Sequence, residues 1–179
     1  MVAATLISSS LLAQEPANVK DSANQKTLDE VVVTANKTPQ KQSTTGKVLT
    51  VINRQALENN SGRTLTQVLN EQAGLQVTGA QGSPGTNQTV YMRGAGAANT
   101  LILIDGMPVT DGSGITIQFD LNHIAIDQVE RVEILKGAQS TLYGSDAVAG
   151  VINIITRKNQ SGKKAALNLH LAGGTYGTF

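Results

Sequence analysis

Two short apolar runs, VERVEILK at 129–136 and GVINIIT at 150–156, are joined by the glycine-bearing connection GAQSTLYGSDAVA at 137–149. Runs this brief and this rich in Val and Ile read as strands, and the connection has room for one helical turn at 140–143. Neither run nor connection holds a nucleophile–base pair or a metal-ligand spacing, so the segment constrains fold before chemistry. In the first run, alternation places Val129, Arg131, Glu133 and Leu135 on one face and Glu130, Val132 and Ile134 on the other. Arg131 and Glu133 then form a local ion pair. Asn153, inside the second run, must find hydrogen-bond partners if it is buried.

The preceding sequence supplies the elements such strands need. A folded domain is expected to start near Lys47, with a strand at 48–53 and a short helix at 54–60 closed by Ser61-Gly62. Thr64 and Gln67 have capping-box spacing, Leu65, Val68 and Leu69 share one helical face, and Gly74 is placed to end that helix. Strands are expected at 75–78, 89–93 and 101–104. The last runs into Asp105-Gly106, a strong hairpin signal because both residues tolerate positive φ, and Pro108 confines the return strand to an edge. Asp105 is thereby explained as a turn residue, with no need of an acid–base or metal role.

Several chemistries drop out. Gly94 and Gly96 suggest a dinucleotide loop, but Asn99 stands where the third glycine belongs and a strand follows instead of a helix. His123 and His170 lie in separate segments and read as structural or solvated. Cysteine is absent, which excludes a disulfide scaffold and a thiolate zinc site. A formal net charge of +1 with no basic stripe gives no nucleic-acid footprint. At 179 residues the chain is one domain with tails; an aromatic content of 3% without Trp argues against a complete membrane barrel with its aromatic girdles. No catalytic residue, metal site or cofactor is expected.

Two polar loops remain, at 79–88 and 110–116. Gln81, Ser83, Asn87 and Gln88 in the first, and Thr110, Asp111 and Ser113 in the second, offer donors and acceptors to solvent or to a ligand. At the N-terminus, residues 1–13 are apolar and small, like the core and exit of a secretory signal peptide, though no Lys or Arg precedes them. We expect a truncated signal there and a polar linker over 14–28. Then comes DEVVVTA at 29–35, whose consecutive valines favour an extended backbone, with polar sequence on both sides. It is either an edge strand of the following domain or a docking strand that adds to a partner's sheet.

Taken in order, DEVVVTA at 29–35, VYMRG at 90–94, LILIDGMPV at 101–109, VERVEILKG at 129–137 and TLYGSDAVAGVINIIT at 141–156 resemble the plug domain of TonB-dependent outer-membrane receptors. The last motif looks most like the cobalamin and siderophore receptor branch. The chain departs from the family pattern at Lys136-Gly137-Ala138, where Arg-Gly-Pro is usual, and at Ala125, where Pro is usual.

The resemblance implies an α+β fold, a small mixed β-sheet with short helices over 36–158, seated inside a 22-stranded barrel. Residues 159–164 would be a linker, and AALNLHL at 165–171, within the 159–179 tail, would begin the first barrel strand. The barrel itself is expected to be missing from this chain. By the same resemblance, Asp29, Glu30, Val31, Val32, Val33, Thr34 and Ala35 form the TonB box, captured by the periplasmic C-terminal domain of TonB. Arg93, Arg131 and Lys136 would meet acidic residues of the barrel wall, Lys136 as a poorer bidentate partner than Arg. The loops would contact a small nutrient ligand. The implied role is gating and ligand sensing in an outer-membrane importer of the Gram-negative envelope, with no bond made or broken. A barrel-less periplasmic or secreted binding module is the alternative.

Overall fold

The computed structural model describes residues 31, 32, 34–83, 85–113 and 118–158. The signal segment, the 14–28 linker, Asp29, Glu30, Val33 and the 159–179 tail with its barrel strand lie outside the described residues. Central to the fold is a mixed five-stranded sheet in the order β3-β8-β9-β6-β7, formed by β3 (Val48–Ile52), β6 (Thr100–Ile104), β7 (Met107–Pro108), β8 (Val129–Lys136) and β9 (Gly150–Thr156). Among the described strands, only β6 and β9 pair in parallel. The sequence motif at 129–156 thus supplies two adjacent interior strands, and β9, buried over Gly150–Ile154, is correspondingly dominated by Val and Ile.

Two helices and a hairpin cover one face: α1 (Arg54–Asn59), α2 (Leu65–Asn70), and β4 (Leu75–Thr78) paired antiparallel with β5 (Thr89–Met92). Val132, Ile134, Ile152 and Ile154 of the sheet pack there against Leu57, Leu65, Leu69 and Met92. Each such side chain, fully buried, stabilises the fold by about 1.5–3 kcal/mol. Thr64 caps α2 as its spacing predicts, its side chain accepting from the Gln67 amide while the Gln67 side chain accepts from the Thr64 amide. The strand expected to reach residue 53 stops at Ile52, because Asn53 instead caps α1 by accepting from the Ala56 amide at 3.0 Å. Gly74 does not end α2, which stops at Asn70; its φ of +80° serves the turn into β4.

Alternation along β8 fails at one point. A bulge between Val129 and Arg131 shifts the register, so Val129 joins Val132 and Ile134 in the helix-covered core. One extra residue re-aims every side chain before it. From Arg131 onward the expected faces hold.

The Asp105-Gly106 turn has φ of +51° and +84° at its two residues, joining β6 to the two-residue edge strand that contains Pro108. Asp105 also reaches across to β9: Oδ1 accepts from the Thr156 amide at 3.0 Å and Oδ2 from the Thr156 hydroxyl. Asp105→Ala should therefore cost about 1–2 kcal/mol, from lost hydrogen bonds and a worse turn residue, read as a lowered denaturation midpoint.

Candidate functional site

On its other face the sheet presents Leu101, Leu103, Leu135 and Val151, with Ala147 and Tyr143 alongside. Tyr143 belongs to the single-turn helix α3 (Ser140–Tyr143). Amid these apolar groups sit Glu133, 0% exposed, and Asn153, 2% exposed, opposite one another on β8 and β9. A buried charge is costly unless hydrogen-bonded. Glu133 Oε1 accepts from Arg131 Nε at 2.9 Å, the ion pair the sequence predicts. Its Oε2 accepts from both the amide and the hydroxyl of Thr34, at 2.8 and 2.6 Å.

That contact ties the candidate docking strand to the domain, which its polar flanks did not suggest. β1 (Val31–Val32) pairs antiparallel with β2 (Gln40–Lys41), and Val32, Thr34 and Ala35 are all buried. Thr34 Oγ1 also accepts from Asn153 Nδ2 at 3.0 Å, and the Thr34 carbonyl accepts from the Tyr143 hydroxyl at 2.8 Å. Lys47 Nζ donates to the Ala35 carbonyl and to Gln139 Oε1. Burial, and secondarily the Glu133 charge, raise the Tyr143 phenol above its ordinary range, which keeps its proton available for donation. Asn153, whose partners the sequence demanded, finds Thr34 and, through Oδ1, the Gly106 amide at 3.1 Å.

The polar loops are stitched together at their bases. Gln118, at the end of the second, accepts from the Val90 amide at 2.8 Å and donates to the Val90 and Ala97 carbonyls. Asn122 donates to the Thr86 carbonyl at 2.9 Å. Gln81, Ser83, Asn87, Thr110 and Ser113 are exposed and Asp111 is half-buried. Gln88 is not offered to solvent as expected: it is 8% exposed, because it directly precedes β5 where the chain enters the core. Two hydrogen bonds from Ser113, the side-chain one foremost, hold the Asp111 carboxyl below its usual range, so it is a fixed anion in a local turn. Between Thr100, Val109, Thr110, Gln118 and Phe119 lies a cavity of about 70 Å³, far below the size of an enclosing small-molecule pocket.

Of the three cations, Arg131 is committed to Glu133, turning it toward the protein's own sheet. Arg93, at φ +52° just after β5, and Lys136, at the end of β8, come together. Burial pushes the Lys136 ammonium below the usual lysine range, and the charge of Arg93 pushes it the same way. Among the described residues no ion pair involves either one.

The arrangement has clear relatives. The sequence pattern of the TonB-dependent Receptor Plug Domain family matches residues 40–151. The chain belongs to that family. The plug is 37% identical over 144 residues to the Vitamin B12 transporter BtuB of Vibrio vulnificus (strain CMCP6), covering 80% of this chain and 23% of that protein. Among solved structures, it resembles a mutant of the ferric enterobactin receptor PfeA of Pseudomonas aeruginosa, with TM-score 0.53 and 32% identity over 72% of this chain and 19% of that one. The siderophore receptor PirA of Acinetobacter baumannii gives TM-score 0.53 and 30% identity over 73% and 19%. The plug thus spans about a quarter or less of the relatives it matches. These relatives are a transporter and receptors, and members of this family are not enzymes.

Sequence reasoning missed the part played by Glu133, taking it only as the mate of Arg131. Its signal was present: a carboxylate between Val132 and Ile134, with Asn153 in an equally apolar partner strand. Two polar residues in interior strands demand a third party.

Proposed function

We propose that the plug is the gating and ligand-sensing part of a TonB-dependent outer-membrane transporter for a scarce nutrient such as cobalamin or a ferric siderophore. Its support is the placement of the short strand Val31–Val32 and of the buried Thr34 and Ala35 beside it, held against the domain just ahead of the family-matched region 40–151. Residues 29–35 serve as the TonB box, offering backbone donors and acceptors to the sheet edge of the periplasmic TonB C-terminal domain. The plug sits in the lumen of an outer-membrane β-barrel whose first strand begins in 165–171, behind the 159–164 linker. Arg93 and Lys136, a cation pair with no internal carboxylate among the described residues, face acidic groups of the barrel wall. Gln81, Ser83, Asn87, Thr110, Asp111 and Ser113 lie on the loops that contact the nutrient.

Binding of the TonB C-terminal domain to the intact protein tests this directly. A synthetic DEVVVTA peptide in excess should compete, because it carries the whole docking strand. Capture unaffected by saturating peptide would remove the TonB-box assignment.

A further inference from the structure

We propose that Gln118 and Asn122 are positioning residues, whose side-chain amides staple the second polar loop to the first and so present the two as one preformed surface. The proposal rests on reading these loops as the ones that contact the nutrient. It names the residues that set their relative position.

The need for a staple begins at the edges of the β4–β5 hairpin. Val77 and Val90 face each other across it, and the Val77 amide points outward, to Asn70 Oδ1 at 2.8 Å. In an antiparallel ladder, opposed residues turn their amides and carbonyls inward together or outward together. The Val90 amide and carbonyl therefore face the outer edge of β5. Gln118 meets both, accepting from the amide at 2.8 Å and donating to the carbonyl at 3.0 Å. One carboxamide thus replaces a residue of a neighbouring strand and closes an edge that would otherwise stand open. Its Nε2 also donates to the Ala97 carbonyl at 3.1 Å, in the turn that precedes β6. Thr110 bridges to Gln118, so both ends of the second loop are held where Gln118 is held.

The second staple lies four residues further on. Asn122 Nδ2 donates to the Thr86 carbonyl, in the first loop, at 2.9 Å. Asp120 aims it: Oδ1 accepts from the Asn122 amide at 3.0 Å and Oδ2 from Nδ2 at 3.3 Å. Among the described residues, every hydrogen bond from 110–123 to 79–97 comes from these two carboxamides. Without them the loops would sample many arrangements, and a ligand touching both would have to order the competent one as it bound.

Spin labels in the intact protein test this, since these 179 residues contain no cysteine to compete for them. Gln81→Cys and Gly112→Cys place one label on each loop; Gln81 is exposed, and a Cβ at Gly112 meets nothing within 4 Å. Val48→Cys and Met107→Cys, exposed on the two edge strands of the central sheet, form the control pair. The loop pair should give a narrow distance distribution in the parent and a broad one with Gln118→Leu plus Asn122→Ala, while the control pair stays narrow. An unchanged loop distribution, or equal broadening of both pairs, would overturn the staples. Asn122 is exposed, so Asn122→Ala alone decides the matter if Gln118→Leu does not fold. Without labels, the double variant should bind cyanocobalamin or ferric enterobactin, whichever the parent binds, about tenfold more weakly, as a surface competent about a tenth of the time would. Broadened loops with unchanged affinity would overturn the positioning role. A parent that binds neither probe would sink the nutrient-contact reading and leave the distances to decide the staples.

Discussion

Gly150→Ala should lower the stability of the plug by at least about 3 kcal/mol, enough to remove much of the margin of a domain this size. Gly150 opens β9 and pairs with Lys136 of β8 on one side and Thr100 of β6 on the other. A Cβ at this position would overlap the Leu135 carbonyl oxygen and the Met92 Sδ, well inside van der Waals contact. Met92 is 0% exposed and closely surrounded. The carbonyl belongs to the backbone of an interior strand, so it cannot retreat without distorting the β8–β9 ladder. The φ of +155° adds backbone strain for any side-chain-bearing residue. Chemical denaturation followed by circular dichroism reads the loss. A midpoint shift equivalent to under about 0.5 kcal/mol, the range of neutral surface changes, would mean that Met92 and β8 move aside cheaply.

Val32→Pro should abolish capture by the TonB C-terminal domain, and it separates two effects that other substitutions mix. Proline lacks the amide proton and disrupts extended pairing, so the variant strand cannot complete a backbone ladder with a partner. The same change weakens the resting state, since Val32 is buried and pairs with Gln40 in β2. The segment should thus be more exposed and yet unable to bind. Pull-down with the TonB C-terminal domain reads the second effect, and protease sensitivity near residue 32 reads the first. Undiminished pull-down would show that residues 29–35 are not the docking strand.

What sequence made visible was mostly local. Thr64 and Gln67 lie three residues apart, and Asp105 and Gly106 adjoin, so their capping box and turn follow from side-chain reach and φ preference alone. The interior strands β6 and β9 were legible from their apolar runs, and β8 from its alternation of Val, Ile and Leu with charged residues. Distant contacts were hidden. Thr34 and Glu133 are separated by 99 positions, and nothing in DEVVVTA announces that its threonine fills a polar gap between two strands. The bulge at the start of β8 was equally hidden, because an alternating pattern looks the same until a partner strand imposes its register. Gln88 has the composition of a loop residue; its burial comes from the hairpin that follows. The pairing of Arg93 with Lys136 arises because β5 ends beside the end of β8, a proximity that no local pattern encodes.

The placement of β8 and β9 inside the sheet also has a consequence for biogenesis. The ribosome makes the periphery first: residues 31–35, β3 and β6 all emerge before the strands that template them. Until residues 129–156 arrive, β3 lacks β8, β6 lacks β9, and Thr34 has no carboxylate to bind. Domains dominated by such long-range pairing close late and slowly, exposing unpaired strands in the interval. A nascent plug therefore stays incompletely paired until residues 129–156 arrive, and chaperones have a long window in which to hold it before its last interior strand forms.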